Sequence, residues 1–421
     1  MYNFFRCAVV GKRLLLFVFF LFFHFPGSAK TISVGKECAV KNIQQALRLS
    51  NDGDTVLVHK GIYREGNLQI KKEIVFKGVG YPILDGQKRF EVVSILANHV
   101  LMSGFKVINS GYGTLDDPCG IKVYDRSFVK IEDNFLDNNF FGIYLQNSKN
   151  CLIKNNTITA YGKQEQLIGN GIHCWKSDSL QIIANKISGH RDGIYFEFVT
   201  QSIIWRNIAN KNIRYGLHFM FSNDDSYISN VFKENGAGVA VMFTKNVKMF
   251  NNYFAENWGD SSYGLLLKEI ADSYIFNNTF TKNTSGIFME GTSRIVVEKN
   301  VFDSNGWGMK IQASCMENEI VNNNYVKNTF DISTNGHVVL NTFDSNYWDK
   351  YEGYDLDKNG IGDVPYHPLS LFAVLTEGMP SVMLLYRSFM ITLLDKSEKV
   401  LPSITPDNFV DNKPLMKALP L

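Results

Sequence analysis

The stretch Asn278-Thr-Phe-Thr-Lys-Asn-Thr-Ser-Gly286-Ile-Phe-Met-Glu290 contains both halves of the motif that decides the fold. An asparagine is followed two residues later by an apolar residue, and about eight residues later by Gly-Φ-x-Φ, where Φ is apolar. The unit from Asn300 to Ile311 repeats this pattern 22 residues further along the chain. Self-similarity at a fixed period of this length is typical of solenoid proteins.

The motif recurs through most of the chain. Its glycine half lies at Gly120, Gly142, Gly171, Gly193, Gly216, Gly238, Gly264, Gly286 and Gly308. Successive glycines are 22, 29, 22, 23, 22, 26, 22 and 22 residues apart, so the two longest intervals indicate local insertions. The asparagine half keeps step at Asn134, Asn156, Asn185, Asn207, Asn230, Asn252, Asn278, Asn300 and Asn323. Stacked asparagines can hydrogen-bond along a ladder and tolerate left-handed backbone angles, while the glycines indicate bends where a side chain would collide or φ is positive.

Between these markers the chain has short segments that alternate apolar and polar residues, which is the period of strands. A 22-residue unit of short strands and turns has the length of one rung of a β-helix, and rungs must stack to bury their apolar faces. The Leu-x-x-Leu-x-Leu spine of leucine-rich repeats, which have a similar period, is absent. We therefore predict an all-β, right-handed parallel β-helix, with an N-terminal capping helix within residues 40–50 and a C-terminal helical tail.

The two ends of the chain differ from the repeat. A positive flank, an apolar run from Leu14 to Phe25 and the small residues Gly27-Ser28-Ala29 predict a cleaved signal peptide over residues 1–29, and hence an exported protein. An uncleaved anchor is the alternative, but the run is shorter than the roughly 20 residues needed to span a bilayer. We predict the β-helix over residues 30–348, an acidic Asp/Gly loop over 349–368, and a partly helical tail over 369–421 that either caps the solenoid or docks on a partner.

Composition excludes two classes of protein. The formal net charge is +2 and no basic stripe is present, which argues against nucleic-acid binding. Five of the six cysteines follow the predicted signal peptide without paired spacing, so a disulfide framework is not expected in so long a chain.

One outward-facing column of side chains suggests a soft-metal site. In each Gly-Φ-x-Φ-x unit, the residues two and four positions after the glycine should point away from the core. On consecutive rungs this places Glu197, Met220 and Met242 in one column, with His218 beside Met220. Rungs lie about 4.8 Å apart, and two thioethers with an imidazole favour Cu(I). His173 lies two rungs, roughly 10 Å, from His218, which predicts a separate site where copper enters. The alternative is that these side chains are only packed beneath a loop or the tail.

A second candidate metal site lies in the acidic loop. Asp355, Asp357 and Asn359 alternate before Gly360, as at the start of a calcium-binding loop. Tyr366 stands where the bidentate glutamate of such a loop is expected, so Asp363 would have to serve as the late ligand. A plain Asp/Gly-rich turn is the alternative.

Three stretches give the chain a resemblance to the NosD family, the periplasmic β-helix proteins needed to mature nitrous oxide reductase. They are Arg214-Tyr-Gly-Leu-His-Phe-Met-Phe-Ser-Asn223, the segment from Tyr347-Trp-Asp to Gly-Ile-Gly-Asp-Val-Pro-Tyr366 with Pro368, and the tail from Leu393-Leu-Asp through Val400-Leu-Pro-Ser-Ile-Thr-Pro406 to Pro414-Leu-Met.

The resemblance implies a non-enzymatic role in supplying copper to the copper centre of nitrous oxide reductase. The implied partners are a membrane ABC transporter permease, contacted by the C-terminal tail at the inner membrane, and a copper chaperone lipoprotein that delivers the metal. The family's motif falls on His218 and Met220, whereas Glu197, Met242 and His173 are assigned by rung geometry alone.

The strongest rival function is an exported polysaccharide lyase or epimerase, or a carbohydrate-binding protein. Lys268, Glu290 and Lys310 on the same face would supply its acid–base groups, and Tyr195 and Phe288 would stack on sugar rings. A surface adhesion solenoid without a ligand is a third interpretation. The Met-containing, apolar middle of the column argues against the enzyme, and the C-terminal tail argues against the adhesion solenoid.

Overall fold

The computed structural model of the protein describes residues 29–113, 117–336, 340–400 and 409–421. The predicted signal peptide lies almost wholly outside these residues. The described chain forms a right-handed parallel β-helix of about 14 turns, which confirms the predicted fold class. No helix in the described ranges combines the length and the apolar character needed to cross a membrane.

Three parallel sheets run the length of the solenoid in the described residues, because each rung contributes one strand to each sheet in turn. The first sheet contains Thr31–Val34, Thr55–His59, Val75–Val79, Leu101–Ser103, Lys130–Glu132, Leu152–Lys154, Gln181–Ile183, Ile203–Trp205, Ser226–Ile228, Lys248–Phe250, Tyr274–Phe276, Val296–Glu298, Met316–Val321 and Leu340–Asp344. The second sheet contains Leu68–Ile70, Val93–Ile95, Cys119–Tyr124, Phe141–Gln146, Ile172–Trp175, Ile194–Glu197, Tyr215–Met220, Ala237–Lys245, Tyr263–Ala271, Ser285–Glu290, Trp307–Ile311 and Phe330–Ser333. The third sheet contains Ile62–Tyr63, Ile83–Asp85, Lys106–Ile108, Phe135–Asp137, Thr157–Thr159, Lys186–Ser188, Ile208–Asn210, Val231–Lys233, Tyr253–Ala255, Thr279–Thr281, Val301–Asp303, Asn324–Val326 and Tyr347–Trp348.

The predicted asparagine ladder forms at the turn between the first and third sheets. Each buried amide donates to the carbonyl oxygen of the asparagine one rung on, as in the 3.0 Å bond from Asn252 to Asn278. The left-handed backbone angles fall on the residue before each ladder asparagine, such as Asn251 and Asn277, rather than on the ladder residue itself. A second buried ladder, which the sequence analysis missed, runs through Asn212, Asn235, Asn257, Asn283, Asn305 and Asn328.

The rung glycines are required by close approach of neighbouring rungs rather than by positive φ. A Cβ atom added to Gly238 would lie 2.3 Å from the carbonyl oxygen of Gly264. Inside the solenoid, aromatic rings from successive rungs stack with centroids 4.2–5.5 Å apart, in the order Phe232, Phe254, Phe280, Phe302, Tyr325 and Trp348. Both features hold the rungs in register.

The N-terminal end is covered by helix α1, Ile43–Leu49, as predicted. Its buried residues Ile43 and Ala46 pack on the core, and the carboxylate of Glu65 accepts hydrogen bonds from the first backbone N–H groups of the helix. The five cysteines in the described residues are free thiols, in agreement with the spacing argument.

The C-terminal end is covered by two parts of the tail. Helix α2, Leu371–Gly378, buries Phe372 against Phe330 of the last rung of the second sheet. Residues 409–415 return to pair with strands of the last rung, through bridges from Phe343 to Asp411 and from Tyr347 to Leu415. Between them, a 3₁₀ helix at Pro380–Leu385 and helix α3, Phe389–Val400, leave large apolar side chains exposed, including Leu384 at 89% and Phe389 at 81%.

Candidate metal site on the second sheet

The three residues of the predicted column occupy the register that the repeat predicts. Glu197 is paired with Met220, and Met220 is paired with Met242, on three consecutive strands of the second sheet. All three side chains are half-buried and end their Gly-Φ-x-Φ-x unit on the outer face. The stacking therefore brings one carboxylate and two thioethers into a single column, which confirms the predicted geometry but does not test metal binding.

His218 lies on the same strand as Met220 and is buried, with an exposure of 6%. Its ring is enclosed by Tyr195 and Tyr215, whose ring centroids lie 5.0 and 4.8 Å away. Neither ring nitrogen has a hydrogen-bond partner in the described part of the chain. A buried imidazole without partners is costly, because its polar atoms have left water without compensation. A ligand that binds one of these nitrogens would remove that cost.

Tyr195 links the polar and the thioether parts of the column. Its hydroxyl donates a hydrogen bond to Oε2 of Glu197 at 3.3 Å and lies 3.8 Å from the sulfur of Met220. Burial, followed by the charge of Glu197, raises the pKa of Tyr195 to about 12, so the phenol stays protonated near neutral pH. We conclude that Tyr195 orients the neighbouring side chains and does not itself act as an anionic ligand.

His173 is in the same sheet but in a different environment. His173 is paired with Tyr195, and Tyr195 is paired with His218 on the next rung. Two rungs therefore separate the two histidines, as predicted. Nδ1 of His173 lies 2.9 Å from the amide nitrogen of Asn170, which is fully buried. Burial, with smaller contributions from Arg191 and Lys122, lowers the pKa of His173 to about 3 and keeps the ring neutral.

The side chains that a carbohydrate-active enzyme would need are engaged with other residues. Lys268 forms an ion pair with Glu290 at 3.1 Å. Lys310 forms an ion pair at 3.0 Å with Glu377 of helix α2, and its ammonium group lies over the ring of Trp307. The predicted acid–base groups of a lyase are therefore mutually neutralised or covered by the tail.

An aromatic ridge borders the column on its exposed side. Phe198, Phe221 and Phe243 directly follow Glu197, Met220 and Met242, and their rings stack with centroids 5.3 and 5.1 Å apart. All three are exposed and have φ values between 50° and 54°. Bulky residues are rare in this left-handed region, where other rungs carry Asn147 or Gly291. The three phenylalanines that form this ridge therefore adopt an unfavourable backbone conformation beside the column.

The predicted calcium ligands are brought together by the loop, but their oxygens bond mainly within it. Asp355 accepts hydrogen bonds from the backbone N–H groups of Asn359 and Gly360, and Asp363 accepts one from Leu356. Removal from water acts to raise the pKa of Asp355, but these N–H groups and Asp357 lower it overall. This pattern is that of an Asx-type turn, and calcium binding here stays a prediction.

Among the described residues, no group of three or more histidine, cysteine or acidic side chains is arranged to hold a metal ion. The candidate site on the second sheet therefore depends on methionine sulfur, which favours soft ions over calcium or magnesium.

Comparison with known proteins identifies relatives for the whole solenoid. The family described as "Periplasmic copper-binding protein (NosD)" matches residues 160–353, which include every predicted copper ligand, and the family described as "Right handed beta helix region" matches residues 36–179. A protein of Stutzerimonas stutzeri named "Probable ABC transporter binding protein NosD" is 28% identical over 376 residues, covering 84% of this chain and 85% of its own length. A Pseudomonas aeruginosa protein with the same name is 25% identical over 393 residues, covering 88% of this chain and 90% of its own.

The chain is thus similar to the NosD family over residues 160–353, a little under half of its length. Solved structures that resemble this chain include the catalytic unit of a thermostable α-1,3-glucanase from Streptomyces thermodiastaticus, with a TM-score of 0.58, 13% identity, and coverage of 77% of this chain and 70% of that one. Another is the A-module of an Azotobacter vinelandii mannuronan C-5 epimerase, with a TM-score of 0.53, 14% identity, and coverage of 72% and 86%. At such low identity these similarities show the β-helix fold alone. The family is described as periplasmic and copper-binding, and the names of the NosD relatives link them to an ABC transporter.

Two features of the site were not visible to sequence reasoning. Asp192 and Asn170, which face the two histidines, each precede a rung glycine and belong to no recognisable metal motif. The sequence marks them only by residue type. The residues before Gly171 and Gly193 are polar, whereas Tyr215 and Ala237 take the corresponding position on the next two rungs.

Proposed function

We propose that this protein carries copper, as Cu(I), for assembly of the copper centre of nitrous oxide reductase, and that it does so without catalysing a reaction itself. The ion would be held in the outward column by Met220, Met242 and His218, with Glu197 at its edge. The supporting observation is the strand register, which has the two thioethers on adjacent rungs beside a buried imidazole without hydrogen-bond partners in the described residues.

The chemistry of these donors suits a transferred ion. Thioethers are soft neutral ligands that select Cu(I), and imidazole is also a suitable copper ligand. Adjacent rungs are about 4.8 Å apart, so one ion lying between two rungs would be roughly 2.3 Å from a methionine sulfur of each rung. The exposed ridge of Phe198, Phe221 and Phe243 beside the column offers an apolar surface for the protein that delivers or accepts the ion, for which we propose a copper chaperone lipoprotein and the reductase.

We further propose that the C-terminal tail contacts the periplasmic side of an ABC transporter permease and so holds the protein at the inner membrane, after cleavage of the signal peptide. Helix α2 and residues 409–421 are occupied with the solenoid, so the contact would fall on residues 379–393. There Leu384, Phe389 and Met390 are highly exposed, and exposed apolar clusters of this kind are typical of protein interfaces. Leu384→Ser with Phe389→Ser should abolish co-purification with the transporter while leaving copper binding unchanged.

The copper site is tested by titrating the exported chain with Cu(I) against a chromogenic competitor under reducing conditions. Met220→Leu with Met242→Leu retains the apolar volume but removes both sulfurs, and His218→Ala removes the imidazole. We expect one copper to bind the native chain. At a competitor concentration where the native chain keeps its copper, each variant should lose it. Met289→Leu is the matched control, because Met289 is a fully buried methionine of the same sheet. Native affinity in the double methionine variant would exclude the site.

A further inference from the structure

The two histidines of the second sheet differ in the group that faces Nδ1. Nδ1 of His218 lies 3.6 Å from Oδ2 of Asp192, whereas Nδ1 of His173 lies 2.9 Å from the amide nitrogen Nδ2 of Asn170. Both facing residues are fully buried, with exposures of 0%. A carboxylate oxygen only accepts hydrogen bonds and an amide nitrogen only donates them, so the two histidines face groups of opposite sense.

A neutral imidazole carries its proton on one ring nitrogen and binds a metal through the other. At His173, Arg191 Nε donates to Oδ1 of Asn170 at 3.3 Å, which turns Nδ2 of the amide toward the histidine. Nδ1 of His173 must then accept, and the proton stays on Nε2. Neither nitrogen of His173 is left with a lone pair available to copper.

The arrangement at His218 is the reverse. Oδ1 of Asp192 accepts a hydrogen bond from the backbone N–H of Tyr215 at 3.3 Å, which fixes the carboxylate and leaves Oδ2 facing the ring. In the described residues Oδ2 has no hydrogen-bond partner, and neither has either nitrogen of His218. The 3.6 Å separation is only about 0.8 Å longer than a typical charge-assisted N–H···O⁻ bond of about 2.8 Å, so a small ring shift completes the bond.

We propose that Asp192 is a positioning residue that keeps the proton of His218 on Nδ1 and leaves Nε2 free for copper, while Asn170 holds His173 in the opposite tautomer and prevents it from binding copper. This rests on the proposed copper function, and it replaces the expected copper role of His173 with that of a hydrogen-bond acceptor for Asn170. Carboxylates that accept from the second nitrogen of a metal-bound histidine commonly fix the ring in this manner.

The test is the tautomer of each histidine, measured in the exported chain without metal by two-bond ¹⁵N–¹H correlation of the imidazole rings. The spectra of His218→Ala and His173→Ala assign the two signals. The native chain should show His218 protonated on Nδ1 and His173 protonated on Nε2. The same tautomer at both histidines would overturn the proposal, and this measurement needs no variant of Asp192 or Asn170 to fold.

Reciprocal substitutions test the cause. In Asp192→Asn the amide oxygen can still accept from Tyr215, so the amide nitrogen faces His218 and should move its proton to Nε2. We expect this variant to bind Cu(I) 10- to 100-fold more weakly, the usual effect of losing such a partner. Asn170→Asp should move the proton of His173 to Nδ1. Circular dichroism melting curves check that both variants are folded.

The outcomes separate this inference from the proposed function. If His218→Ala lowers Cu(I) affinity but Asp192→Asn changes neither affinity nor tautomer, the copper site stands and the role of Asp192 is refuted. A tautomer change in Asp192→Asn without any loss of affinity also refutes it. If His218→Ala itself binds Cu(I) with native affinity, the proposed copper site fails independently of Asp192.

Discussion

Substitution of Asp411 by alanine should release the last rung of the solenoid. The carboxylate is fully buried and accepts five hydrogen bonds. They come from the backbone N–H groups of Ser345, Asn346 and Lys413 at 2.9–3.1 Å, and from the side chains of Asn346 and Trp348, both at 3.1 Å. Asp411 thereby takes the position that the next asparagine of the ladder would occupy.

The size of the effect follows from the donors that cannot reach water. Asn346 and Trp348 are buried, with exposures of 0% and 1%, so their N–H groups would lose their acceptor without replacement. At ~1–3 kcal/mol for each of these three N–H groups, the local free energy of opening should fall by ~3–9 kcal/mol. Because repeat proteins open rung by rung, the loss should appear as fraying of the C-terminal end rather than as global unfolding.

Hydrogen–deuterium exchange resolves this localisation. A loss of at least ~3 kcal/mol corresponds to exchange at least ~10²-fold faster, expected in peptides covering residues 340–348 and 409–415. Peptides covering residues 130–160 should be unaffected. Asp411→Asn, which retains one acceptor oxygen, should give an intermediate effect. Native exchange rates at residues 340–348 in Asp411→Ala would refute the assignment of residues 409–415 to the solenoid. They would favour the alternative that the whole tail docks on a partner protein.

Two further predictions concern the body of the solenoid. Burial lowers the pKa of His190 to about 4, so the unfolded chain binds the extra proton between pH 6.5 and about 4 and stability falls as the pH drops through this window. His190→Asn, which continues the second asparagine ladder at Asn212, should remove that part of the acid sensitivity in melting curves recorded from pH 7 to 4; unchanged pH dependence would contradict this. Gly238→Ala should destabilise the fold by ~3 kcal/mol, because its Cβ would overlap the carbonyl group of Gly264. Gly113→Ala is the control with open space around it, and equal melting temperatures in the two variants would show that the rungs can separate without cost.

The repeat made much of the site predictable from sequence. Because every rung has the same path, residues at equal distance from the rung glycines fall in one column, and Glu197, Met220 and Met242 were placed correctly without any coordinates. The repeat did not predict the backbone conformation at the turns correctly. The asparagine pattern allowed left-handed angles at the ladder positions, but the residue before each ladder asparagine adopts them.

The sequence alone therefore determined the parallel β-helix, its register and the composition of the outward column, since all three follow from a period that local residues repeat. Only the tertiary structure decided the polar partners of that column and the closure of the solenoid. Asp192 reaches His218 across a rung boundary, and Asp411 meets Asn346 across 65 residues that carry no repeat. Contacts of this kind depend on where a buried donor lacks an acceptor, and that is a property of the folded chain rather than of any pattern along it.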